Sequence, residues 1–210
     1  MMNERAREMP DMTPAQRRTN WWHYHWRYVA VAVIAVVLLT ATLWERVSKI
    51  RADVSVAVVT KYALTAHDVE TIQAALEAVA EDTNGDGKVS VAINPIQIDY
   101  ASTSMDDAAV QVMTTNVDKL NADFYTYQSG VFLLDDPASF VSQHHALEYL
   151  DGTEPPEDAI DWENMTIAWR DCLGDADLDQ CDTAALWFGR RIGMENDAGT
   201  AALWNALHLN

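Results

Sequence analysis

The apolar positions of this chain fall into three patterns, and each predicts a different kind of element. The first pattern is unbroken. Tyr28 to Leu43 reads YVAVAVIAVVLLTATL and carries no charge. Extended by Trp44, the run is slightly short of the roughly 20 residues that cross a bilayer. Its flanks strengthen the reading of a membrane span. Trp21, Trp22, Tyr24, Trp26 and Tyr28 precede it and Trp44 follows, as interfacial aromatic belts do. Arg17, Arg18 and Arg27 favour a cytoplasmic N-terminus, a bias that Arg46, Lys49 and Arg51 blur. A cleaved signal peptide is the competing reading. The long leader and the lack of a small-x-small site after Trp44 favour an uncleaved signal anchor.

The second and third patterns alternate through the rest of the chain. Val54–Thr60 (VSVAVVT) is β-branched and apolar on both faces, as in a strand covered on two sides. Thr65 and Asp68 have capping-box spacing, and Val69, Ile72, Leu76 and Val79 follow at helical intervals, predicting a helix over 66–81. Asp82–Gly87 (DTNGDG) reads as a turn. Val89–Ile98 alternates as a strand, with Pro95 pointing to an edge, bulge or strand end.

The sequence then repeats the theme. Ser104 and Asp107 form a second capping box before a helix near 106–120. Phe124–Tyr127 and Val131–Leu134 read as strands. Asp136 and Pro137 open a helix that continues to about Leu150. Residues 151–161 read as a loop, Met165–Trp169 and Ala184–Phe188 as short strands, and Ala198–Leu207 as a closing helix. Strands alternating with helices predict an α/β fold: an N-terminal transmembrane helix followed by a three-layer domain with a mostly parallel sheet. The expected organisation is a cytoplasmic tail and juxtamembrane segment over 1–27, a signal anchor over 28–44, a linker over 45–53 and an extracytoplasmic domain over 54–210.

Charge divides unevenly along this plan. Residues 54–210 hold six Lys/Arg against 27 Asp/Glu, within a chain of net charge −18. Such a field disfavours nucleic acid and attracts cations or basic partners, although solubility alone accounts for it. Outside the membrane, Cys172 and Cys181 make an even pair suited to a disulfide. Two free thiols or a metal pair are the alternatives, and no His or further Cys lies nearby to complete a metal set.

The sharpest chemical motif is Asp82-Thr-Asn84-Gly-Asp86-Gly87-Lys88-Val-Ser90. Asp82, Asn84, Asp86, Lys88 and Ser90 stand where the first half of a Ca²⁺ loop places its ligands, with glycine at the sixth position. The second half fails, because Ile93 stands where a bidentate acid belongs. A helix-to-strand turn needs no metal and is the favoured reading. Asp175, Asp177, Asp179 and Asp182 form a weaker acidic cluster, read as a solvated loop. His23, His25, His67, His144, His145 and His208 lack ligand-spaced partners and read as surface histidines. Arg190 and Arg191 are read as neutralising neighbouring carboxylates rather than binding an anion. No nucleophile elbow or phosphate loop appears, so no catalytic residue is identified.

The leader WWHYHWRY running into the span, then VSVAVVT, DTNGDGKVSVAI, GVFLLDDPASF and ALWFGRR, resembles a family of small single-pass membrane proteins of Gram-positive gut bacteria. Their outer domain is similar to one lobe of extracellular solute-binding proteins. The resemblance implies an extracytoplasmic α/β domain and carries over no activity and no site residue.

Together these readings point to a non-enzymatic, membrane-anchored binding or assembly module, solute-binding-like, with a small solute or protein partner outside the cell. The groove is expected beyond the strand ends, near Thr60–Leu64, Ile98–Ser102 and Asp135–Pro137. The alternatives are a surface enzyme dependent on a divalent cation, and a structural module stabilised by calcium.

Overall fold

The structure, a computed structural model, describes residues 13–48, 52–102 and 107–209. It separates into two units, one ending at Ile50 and one beginning at Arg51. The first contains a single helix, α1 (Pro14–Ser48), of 35 residues. Val31, Val33, Ile34, Val36, Val37, Leu38 and Leu39 are each more than half exposed, and at 100° per residue they cover every side of the helix. Among the described residues no helix is long and apolar enough to cross a membrane. The expected span over 28–44 is therefore not supported. Its described side chains end at Thr40. From Tyr28 they cover about 20 Å of helix at 1.5 Å per residue, against a hydrocarbon core of about 30 Å.

The second unit holds β1 (Val54–Thr60), α2 (Ala66–Glu77), β2 (Val91–Gln97), α3 (Asp107–Thr126), β3 (Val131–Leu134), α4 (Pro137–His144), β4 (Thr166–Ala168), α5 (Trp169–Leu173), β5 (Trp187–Arg190) and α6 (Ala198–Leu209). The five strands form one sheet in the order β2-β1-β3-β5-β4. β1 is parallel to β2, with Val54 opposite Val91, and parallel to β3, with Val56 opposite Val131. β5 runs antiparallel to both β3 and β4.

The α/β expectation holds and the sheet is mixed: β2, β1 and β3 are mutually parallel, as expected, while β5 alone runs opposite to its neighbours β3 and β4. Parallel neighbours need a long crossover, usually helical. α5 has only five residues and cannot serve as one. The chain instead returns through a loop to pair β5 against β4.

Period-two alternation in β1 explains the three layers. Val56 and Val58 point to one face, where they meet Ile72 and Leu76 of α2, Trp169 of α5 and Leu203 of α6. Ala57 and Val59 point to the other, where they meet Leu120 of α3 and Phe140 and Val141 of α4. Every one of these side chains is essentially solvent-free. α6 lies so close to β1 that a Cβ on Gly199 would overlap the Asp53 carbonyl oxygen.

Several local expectations change: α2 ends at Glu77 rather than at 81, and Ala184 and Ala185 lie in a 3₁₀ turn (Thr183–Ala185), the strand beginning only at Trp187. Phe124–Tyr127 is not a strand: α3 runs to Thr126, and Phe124 packs its ring 5.6 Å from Phe132 and 6.2 Å from Phe140. Val117, Leu120 and Phe124 continue the helical interval past the point where the aromatic residues imitate a strand. α4 stops at His144, because His145 takes a left-handed conformation (φ 47°) that ends it. The proposed cap at Ser104 lies outside the described residues.

Candidate functional site

The strand order makes a crevice at one place. After β1 the chain turns into α2 on one face of the sheet, and after β3 it turns into α4 on the other. The loops leaving these neighbouring parallel strands therefore diverge, opening a gap beyond their carboxyl ends. Open α/β sheets bind ligands at such switch points.

Asp135, half-buried, directly follows β3 at this point. Its Oδ2 accepts the Lys61 N–H at 2.7 Å, tying the loop after β3 to the loop after β1. Lys61 Nζ stands 4.0 Å from Asp99 Oδ2, and the Lys61 carbonyl accepts Gln97 Nε2 at 3.3 Å. Burial pushes the Asp135 carboxyl above its usual range; Asp136 and Asp99 add to this, and the Lys61 N–H opposes it. Asp136 caps α4 by accepting the Ser139 N–H at 3.0 Å. Tyr100 places its hydroxyl 3.1 Å from His144 Nε2. Burial raises the Tyr100 phenol, helped by Asp136 and Asp135, and burial lowers the His144 imidazole, helped by His145. Beside the crevice lies a shallow pocket of about 210 Å³, lined by Thr60, Tyr62, Leu64, Pro95, Gln97 and Asn116 among others. The pocket lining mixes apolar and neutral polar side chains, and the carboxylates of Asp99 and Asp135 and the Lys61 ammonium belong to the neighbouring strand-end segments.

The cysteine loop is bonded to the start of α2, the helix that follows β1. Asp68 is solvent-free. Its Oδ2 accepts the Thr65 N–H at 2.9 Å, while Thr65 Oγ1 accepts the Asp68 N–H at 3.1 Å, completing the expected capping box. Asp68 Oδ1 accepts the Asp179 N–H at 2.6 Å, and Thr65 Oγ1 donates to Asp179 Oδ2 at 2.9 Å. Burial alone would raise the Asp68 carboxyl. The bonds from Thr65, Asp179 and Gln180 outweigh that and hold it below its usual range. Cys181 is close enough to Asp135 and Asp68 for both to raise its thiol, after burial, to about 11. Cys172 and Cys181 are both free thiols here.

Comparisons with protein families, curated proteins and solved structures found no match.

The remaining sequence candidates are placed elsewhere. The Asp82–Ser90 segment connects α2 to β2 and is folded by its own oxygens: Asp82 accepts the Gly85 and Gly87 N–H groups at 2.7 and 2.8 Å, Asn84 accepts that of Asp86, and Asp86 accepts that of Lys88. Asp53 anchors both ends of the turn, accepting Thr83, Asn84 and Ser90 N–H groups at 2.8–3.0 Å. Among the described residues no group of three or more His, Cys, Asp or Glu side chains is placed to hold a metal ion.

Asp175, Asp177, Asp179 and Asp182 line an open groove of about 460 Å³ on the cysteine loop. Arg190 and Arg191, expected to neutralise carboxylates, turn inward, which the sequence reading did not anticipate. Arg190 pairs with buried Glu148, and Arg191 donates to the Asp123 and Phe124 carbonyls with its guanidinium 4.3 Å over Tyr127. His144 is the exception among the histidines: it is half-buried against Phe124 and Phe140 and belongs to the site.

The three segments named from the sequence follow β1, β2 and β3, but sequence reasoning missed the contacts of Lys61, Tyr100 and His144 and read Asp68 as a cap alone. Asp53 had one signal, an acid directly before a strand and level with the DTNGDG turn. The dual use of Asp68 had none, because Asp179 is 111 positions away.

Proposed function

We propose that this protein is a membrane-anchored extracytoplasmic binding module, without catalytic activity, that holds a small cationic or donor-rich solute at the β1–β3 crevice. The observation that carries this reading is the diverging pair of loops with Asp135 between them. A carboxyl kept there against its own desolvation is costly to the fold, and such groups concentrate where a ligand uses them. The strong acidity of the domain supports a positively charged ligand by raising its local concentration.

The anchor rests on α1. A helix apolar on every side has no polar face to turn to water and calls for an apolar environment. The sequence continues apolar through Trp44, about 26 Å from Tyr28 as a helix, and aromatic belts flank it. In this reading residues 1–27 are cytoplasmic and the acidic domain lies outside the cell, as the resemblance to single-pass proteins also implies.

Two measurements test the proposal. After carbonate washing, the full chain is expected in the membrane pellet, with protease in intact cells removing the acidic domain; recovery in the supernatant ends the anchor reading. A thermal-shift panel of polyamines, basic amino acids and short basic peptides is expected to contain ligands that raise the melting temperature of the full chain in detergent. Asp135→Asn is expected to abolish that rise. A panel without effect, or effects untouched by the substitution, removes the crevice from consideration.

A further inference from the structure

The two cysteines lie at the neck of the loop that is bonded to the start of α2. Cys172 sits in α5, buried, with its thiol donating to the Ala168 carbonyl at 3.1 Å. Cys181 is half-buried against the same apolar cluster that contains Cys172, beside Ala176 and Leu178. Arg170 gathers the loop from both sides: Nε lies 2.8 Å from Asp175 Oδ1 and Nη2 lies 3.4 Å from Asp182 Oδ1. One side chain two residues before Cys172 thus grips the residue directly after Cys181, which brings the two ends of the loop together. The tip of the loop is attached differently, through Asp179 to Asp68 and Thr65 at the start of α2. Arg170 is half exposed and its partners more so. These ion pairs are of a kind that contributes little in water; the neck is also held by the shared apolar cluster and by the Trp169 N–H donating to the Leu186 carbonyl at 2.9 Å.

We propose that Cys172 and Cys181 are a disulfide-exchange pair, and that their oxidation locks the 174–181 loop onto the first turn of α2 and so fixes one wall of the crevice. The partner is a disulfide of a small thiol or of a thiol oxidoreductase. The Cys181 thiol loses its proton and attacks one sulfur of that disulfide, releasing the first partner thiolate and leaving a mixed disulfide on Cys181. Cys172, deprotonated in turn, attacks the Cys181 sulfur and expels the second partner thiolate. Two protein thiols have then lost two protons and two electrons, and one external disulfide has become two thiols.

The surroundings favour a lasting bond over rapid cycling. Burial, followed by Asp171 for Cys172 and by Asp135 and Asp68 for Cys181, holds both thiols near 11. Thiols so rarely ionised attack slowly at neutral pH, and as poor leaving groups they resist displacement once joined. The importance of the lock for ligand capture rests on the crevice reading above; the lock itself is measured without any ligand.

The full chain is incubated with oxidised glutathione at pH 8, quenched with alkylating agent in denaturant, and mapped by mass spectrometry. Hydrogen exchange is followed at Asp179, Gln180 and the first turn of α2. The expected product is an internal Cys172–Cys181 bridge, with exchange at Asp179 and Gln180 slowed at least tenfold and restored by reductant. Cys181→Ser, which leaves the buried Cys172 in place, is expected to keep the fast exchange of the reduced protein whether or not oxidant is present. Glutathione retained on Cys181, bridges between chains, unreacted thiols, or an internal bridge that leaves exchange unchanged each overturns the proposal. All of these outcomes are read without any ligand, so failure here is distinguishable from failure of the crevice.

Discussion

Three aspartates show how one side chain can serve opposite ends in this domain. Asp53 and Asp68 each gather several backbone N–H groups, and those bonds outweigh the burial that would otherwise raise their carboxyls. Their folded values lie below the ordinary 3.8, so the stability they contribute is complete above that pH and is lost as pH falls through the lower folded values. Asp53→Asn keeps one acceptor and presents an NH₂ to donors already pointing at it. It is expected to cost about 1–3 kcal/mol in urea unfolding at neutral pH and to flatten the acid limb of a circular-dichroism titration.

Asp135 has the opposite sign. Its folded value is raised, so folding opposes its ionisation; the penalty is absent well below 3.8 and complete above the raised folded value. Asp135→Asn, which retains an acceptor for the Lys61 N–H, is expected to raise the melting temperature at pH 7. That advantage should shrink as the pH is lowered toward 4. A melting temperature lowered at pH 7 would show that the carboxylate stabilises this edge.

At the scale of elements, the start of α2 binds more than its own first turn. Thr65 caps the helix and also holds Asp179, so Thr65→Ala is expected to cost about 0.5–2 kcal/mol of stability and, in the same variant, to speed amide exchange at Asp179. A variant losing stability with Asp179 still protected would separate cap from loop.

The local elements were readable to the extent that their determinants are local. The Thr65 box, the Asp136-Pro137 start of α4 and the VSVAVVT strand announce themselves within a few residues, and all three form. The Phe124–Tyr127 aromatics misled because a short apolar run at a helix end looks like a strand until its neighbours' spacing is included. The direction of β5 was hidden, since strand orientation depends on where a connection lands and not on the strand's own residues. The strand ends were legible as three segments; the contacts that tie them to their surroundings, from Lys61 to Asp135 and from Asp68 to Asp179, join positions 74 and 111 apart and leave no local trace.

For the whole molecule, the division at Ile50 and Arg51 predicts independence. Among the described residues, both core clusters are built from positions beyond Asp53, one on each face of the sheet. A chain beginning at Arg51 is expected to unfold cooperatively at a temperature within a few degrees of that of the full protein in detergent. Loss of the cooperative transition would mean that α1 takes part in the fold.

The flanks of the sheet carry a last consequence. β2, on one side, contains Pro95, and β4, on the other, has only three residues. An incoming strand would find a missing donor on one border and almost no length to zip along on the other. Fibre-like stacking and capture of extended peptides by strand addition are both discouraged, so many copies could be crowded side by side without polymerising. Any guest is left to enter from the end of the sheet rather than from its borders.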